Sequence, residues 1–169
     1  MDNPWRWFSC ALAIGIGATA LLDAWAWSLR RFGISSLDWC LAGRWMGHSP
    51  RGRFVHESIG HATPVKGECL LGWGLHYASG IAFAALLLAL AGSDWAQRPT
   101  LAPALAVGLG TVILPFFVMQ PGMGAGIAAS KTPDPTRARA RARLRSLLAH
   151  AVFGVGMYVS SWIVAASLP

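Results

Sequence analysis

Three of the chain's five histidines, His48, His56 and His61, fall with Glu57 and three arginines inside Gly43–His61, GRWMGHSPRGRFVHESIGH. Imidazole and carboxylate are donors that suit zinc, iron or manganese, so His48, His56, Glu57 and His61 are the candidate ligands of a divalent metal. The zincin motif is absent, because HESIGH is H-E-x-x-x-H, one residue too long. Glu57 and His61 keep the four-residue spacing that puts two side chains on one helical face. Arg44, Arg51 and Arg53 in the same stretch have the planar donors that grip a phosphate bidentately, which points to a lipid headgroup or lipid-phosphate ligand. Two bland readings compete: a solvated loop for the histidines, and membrane topology alone for the arginines.

A second set of polar residues lies inside apolar runs. Asp23, His76, Gln120 and His150 each fall near the same end of a hydrophobic stretch. Ionisable groups at membrane depth are costly unless paired or functional, and an Asp near two His fixes a tautomer or stabilises imidazolium. The four are therefore expected to form one polar layer, with the His48–His61 loop folded over it. The competing reading is an Asp–His hydrogen bond that only locks helices together.

The elements that must position these groups are apolar. The 169 residues are 54% hydrophobic and 12% charged, about half the charge share of a soluble domain. Four runs, approximately 7–29, 72–91, 101–120 and 144–166, approach the ~20 residues a helix needs to cross a bilayer. The expected fold is all-α, a single domain over 1–169 with four transmembrane helices and loops at 30–71 and 121–143. The first run lacks a basic leader and a cleavage site and carries Asp23, so it reads as a retained span and not a signal peptide.

The net charge of +7 is concentrated in the two long loops: Arg30, Arg31, Arg44, Arg51, Arg53 and Lys66 in the first, and Lys131, Arg137, Arg139, Arg141 and Arg143 in the second. The positive-inside rule then predicts an inner-membrane protein with both loops in the cytoplasm and both termini periplasmic. That origin of the basicity leaves no need for a nucleic-acid partner. Arg137, Arg139, Arg141 and Arg143 are expected to lie on anionic headgroups, with membrane lipids as partners. Cys40 and Cys69 fall in the first loop, so the expectation is no disulfide.

Smaller features refine the plan. Ile34–Met46 is too short to span and reads as an interfacial helix, with Ser36 as its N-cap. Phe54–His61 reads as a further short helix ended by Thr63-Pro64. Pro115 should kink the third span, and Met119–Gly126 is flexible enough to re-enter the membrane or underlie the polar residues. Thr132-Pro133-Asp134-Pro135 should break the chain. Gly15 and Gly17 match Gly108 and Gly110, and His76-xxx-Gly80 matches His150-xxx-Gly154, in the same order. That order fits a two-fold repeat of helical hairpins.

The motifs LAGRWMGHSPRGRFVHESI, GECLLGWGLHYASGIAFA, PTLAPALAVGLGTVILPFFVMQPGMGAGIAASKTP and RLRSLLAHAVFGVGMY cover most of the chain. In these it resembles an uncharacterised, domain-of-unknown-function family of small four-helix inner-membrane proteins from proteobacteria. The resemblance implies membrane location and the four-helix plan, and brings no activity, substrate or cofactor. No Ser/His/Asp order, P-loop or dinucleotide fingerprint occurs, so catalytic residues are unknown and enzymatic activity is left open. Three functions remain: a site for a metal ion or lipid-borne anion, an oligomeric transport protein for ions or small solutes, and a non-catalytic subunit that docks a membrane partner.

Overall fold

The computed structural model describes residues 4–34, 36–132 and 137–167. Among them there is no strand. The helices are α1 (Pro4–Arg31), α2 (Trp39–His48), α3 (Glu68–Ala91), α4 (Leu101–Gly110), α5 (Gln120–Met123) and α6 (Arg137–Ser167), with short 3-10 turns between them. Four stretches are long and apolar enough to cross a membrane: Pro4–Arg31, Glu68–Ala91, Leu101–Met123 and Arg137–Ser167. Large apolar side chains on these stretches remain bare, Leu90 at 71% and Ile163 at 64% exposure among them. In water each would forgo about 1.5–3 kcal/mol of burial; against acyl chains it forgoes nothing.

The chain divides into two compact units. The first comprises 1–36, 77–111 and 149–169. Its core is Ile14 and Ala18 of α1, Leu87 and Leu88 of α3, and Phe153 and Met157 of α6. Small residues allow its helices to touch. A Cβ on Gly15 would stand 2.5 Å from the Ile81 Cα and 2.9 Å from the Gly80 carbonyl oxygen. A Cβ on Gly108 would stand 2.7 Å from the Gly154 Cα. The residues matched by the expected repeat thus make matched contacts: Gly15 against Gly80, and Gly108 against Gly154. Without a hydrophobic force between helices in lipid, such close backbone approach is a main source of association.

The second unit comprises 37–76 and 112–148. Asp38, not Ser36, caps α2, its carboxylate accepting from the Cys40 N–H at 2.9 Å. Asp38 stands directly before the helix, where its oxygen reaches the first-turn donors; such caps contribute about 1 kcal/mol. Phe54–His61 does not form the expected α-helix. Its first part is irregular, and only Ile59–His61 closes a single 3-10 turn. The backbone donor that a helix would use internally is instead spent outside it, as the His56 N–H bonds the Gly122 carbonyl at 2.9 Å.

The third span is not one α-helix. Pro115 has no N–H to donate, and a π-helical turn, Pro115–Met119, follows α4, with the Gln120 N–H reaching back to the Pro115 carbonyl. The arginine-rich segment from Arg137 on is no loop: it forms the start of α6. Alternating Arg and Ala are both strong helix formers, so nothing stops the helix there. The expected break over Thr132–Pro135 lies, from Pro133 on, outside the described residues.

Cys40 and Cys69 correct the expectation of no disulfide, for their sulfurs are bonded. Compartment arguments do not register that two helices meet at these residues. A Cβ on Gly43 would run into the Glu68 carbonyl, and one on Gly72 into the Trp39 carbonyl, so each glycine packs on the first residue of the opposite helix. Cys40 and Cys69 lie one turn before those glycines and meet beside the crossing.

Candidate functional site

The His-rich loop is held by backbone and by one ion pair. Arg44, on α2, donates from Nε and Nη2 to the two carboxylate oxygens of Glu68 at 2.9 and 2.8 Å. Its Nη1 donates to the carbonyls of Ile59, Gly60 and Ala62 at 3.2–3.4 Å. Glu68 also accepts the Val65 N–H at 2.8 Å. A guanidinium with five donors in a fixed fork is suited to gather a turn in this way. Arg44 therefore spends its donors inside the protein, whereas Arg51 and Arg53 are exposed.

The Gly-rich end of the third span forms the other wall. Trp45 Nε1 donates to the Phe54 carbonyl at 2.8 Å. Gly122 packs on Trp45 and Phe54, and Gly124, at φ +99°, packs on the backbone of His56 and Glu57. Any side chain at Gly122 or Gly124 would drive the loop off this wall. The glycines are thus needed for close approach, and at Gly124 for a left-handed backbone as well.

Between these walls two imidazoles come together. The His48 and His56 ring centroids are 5.1 Å apart. His48 Nε2 donates to the Thr63 carbonyl at 2.9 Å, and His56 Nδ1 to the Gly122 carbonyl at 3.2 Å. A carbonyl only accepts, so these nitrogens carry the hydrogens, and the opposite nitrogen is the one left to act as an acceptor. Those nitrogens, His48 Nδ1 and His56 Nε2, are buried and without a hydrogen-bond partner; His48 as a whole is 5% exposed. Gln120 Oε1, in the same unit, is likewise buried and unpartnered, while its Nε2 donates to Ser146 Oγ at 3.2 Å. Glu57 and His61 are exposed and do not share a helical face. Among the described residues no group of three or more His, Cys, Asp or Glu side chains could hold a metal.

The residues expected in one polar layer are divided between the units, Asp23 and His150 in the first and His76 and Gln120 in the second. Asp23 accepts from the Tyr77 hydroxyl at 3.0 Å in the first unit. His150 Nδ1 lies 3.0 Å from Thr111 Oγ1 and 3.1 Å from the Gly108 carbonyl, joining α6 to the end of α4. In the second unit His76, 5% exposed, stacks on Trp39 with centroids 3.9 Å apart and meets the edge of Trp73. Of the second arginine cluster, Arg137, Arg141 and Arg143 are exposed, and Arg143 Nε donates to the Ala128 carbonyl at 2.8 Å. Arg139 Nε is buried without a partner.

Sequence reading missed Glu68, Thr63 and Gly122 as supports of the histidine loop. Two of these act through backbone carbonyls, which leave no mark on residue type. Glu68 carried a signal, being the acid at the head of an apolar run with a basic loop before it.

Residues 12–164 match the family described as "Protein of unknown function (DUF2938)", and the chain belongs to it. No curated protein and no solved structure matches the chain.

Proposed function

We propose that the protein is a multi-pass inner-membrane protein that binds a transition-metal ion of low coordination number through His48 Nδ1 and His56 Nε2. The observation that carries this is the pair of buried, bare nitrogens on rings 5.1 Å apart. A buried acceptor left unmade costs about 1–3 kcal/mol, and a cation within reach of both rings would satisfy the two together. Each ring's far nitrogen is fixed by a carbonyl, the support that orients a metal-bound histidine and raises its basicity. Zinc would need about four ligands. Monovalent copper accepts as few as two or three donors and imidazole suits it, so it is the ion we assign to the pair.

Loop charge supports the orientation, with the histidine loop on the cytoplasmic side and both termini periplasmic. The exposed Arg51, Arg53, Arg137, Arg141 and Arg143 would then face the anionic leaflet, each contributing about 1 kcal/mol of attraction.

The test is metal content after loading purified protein with cuprous ion under ascorbate, without thiols. One copper per chain is expected. His48→Ala and His56→Ala should each weaken binding about 10–100-fold. His61→Ala should leave it unchanged. Copper content indifferent to both His48 and His56 would remove the site.

A further inference from the structure

We propose that Cys40 and Cys69 are a redox-active pair that exchanges its disulfide with a dithiol oxidoreductase. Neither sulfur is among the proposed metal ligands, so the two ideas stand apart.

Two features of the pair point the same way. Each cysteine is the second residue of a helix, α2 beginning at Trp39 and α3 at Glu68. First-turn N–H groups and the helix dipole favour an anion there, and cysteines so placed ionise more readily than free thiols. Two flanking carboxylates, Asp38 and Glu68, work against a thiolate, but the charge of Glu68 is met by Arg44 and Asp38 accepts the Cys40 N–H. Cys69 is exposed even while bonded, Cys40 is half-buried, and Cys69 is the second residue of its span, at the loop end, so a thiolate in the aqueous phase can reach its sulfur.

The helix crossing does not depend on the bond. The sequence C-L-x-G stands at Cys40–Gly43 and again at Cys69–Gly72, and each glycine seats on the first residue of the other helix. The Arg44–Glu68 pair joins the same two helices. Cys40 and Cys69 therefore stay facing one another when the bond opens, as a pair that cycles must. A purely structural staple has no need of an exposed sulfur, two helix N-termini or a second set of contacts.

The exchange balances as follows. A thiolate of the partner attacks Cys69 Sγ, forming a mixed disulfide and releasing the Cys40 thiolate into the first turn of α2. The partner's second thiolate attacks its own sulfur in that mixed disulfide, closing the partner's disulfide and releasing Cys69 as a thiolate. Two electrons and, after protonation of both thiolates, two protons pass from the partner dithiol to this chain. The reverse reaction reoxidises it.

The experiment uses the full chain in detergent micelles, equilibrated with glutathione buffers of varied reduced-to-oxidised ratio, then quenched and tagged with a mass-labelled maleimide. The disulfide should titrate from closed to open within the range of ratios glutathione can set, with the helical circular dichroism unchanged. The reduced Cys69 should alkylate several-fold faster than glutathione at neutral pH. Cys40→Ser should trap glutathione on Cys69 as a mixed disulfide. A bond that stays closed at the most reducing ratio, or opens only with loss of helix, makes it a structural staple and overturns the proposal. So does a Cys69 that reacts no faster than glutathione, or a pair that never closes under oxidising buffer.

Discussion

At the scale of residues, basic side chains of one loop end in opposite states. Arg44 is fully engaged, with one carboxylate and three carbonyls around it. His48 and His56 are half engaged, each with one nitrogen held and one bare. The first pattern belongs to a support and the second to a ligand. Arg44→Ala should therefore lower the thermal midpoint of the detergent-solubilised protein by several degrees and loosen the loop that carries His56. Arg44→Lys should recover only part of the loss, because an ammonium cannot span both oxygens of Glu68 while reaching the Ile59–Ala62 carbonyls. A midpoint unmoved in Arg44→Ala would show that the glycine crossing alone sets the loop.

At the scale of elements, glycine decides which helices meet. Gly43 and Gly72 admit the opposite backbone, while Gly74, on the same α3, has nothing within 4 Å of its added Cβ. Gly43→Ala should thus destabilise by at least about 2 kcal/mol and separate the cysteines, since neither backbone can give way. Gly74→Ala should be neutral or stabilise by up to about 1 kcal/mol, as an exposed helical glycine does. Equal effects of the two, read by denaturant or thermal unfolding, would contradict the crossing.

The four spans were legible because an apolar run of the right length has one stable use in lipid, and Pro115 announced the break in regular α-helix by lacking a donor. The Cys40–Cys69 bond was not, since loop position argued for a compartment while the glycines argued for a contact, and only the repeated C-L-x-G carried the second message. His48 and His56 were picked out by type. Glu57 and His61 were grouped with them by donor type, and the helical spacing between those two is one that the 54–58 backbone, drawn onto Gly122, does not adopt.

At the scale of the whole molecule, the proposed orientation rests on charge and hydropathy along the sequence. Arg6 and Arg98 lie outside the two basic segments, 30–66 and 131–145, that hold every other Lys and Arg. A reporter that is active only in the periplasm should work when fused after the last span and fail when inserted in the 49–53 turn; the opposite pattern would invert the orientation. The proposed orientation puts the histidine pair and the cysteine pair in a reducing compartment, where copper is monovalent and a disulfide can be opened. X-ray absorption at the copper edge of cuprous-loaded Cys40→Ser/Cys69→Ser protein tests the central claim most directly. Two imidazole nitrogens and no sulfur neighbour are expected, with that signal lost in His48→Ala and His56→Ala. A sulfur neighbour, a four-coordinate shell, or a spectrum that survives both substitutions would contradict it.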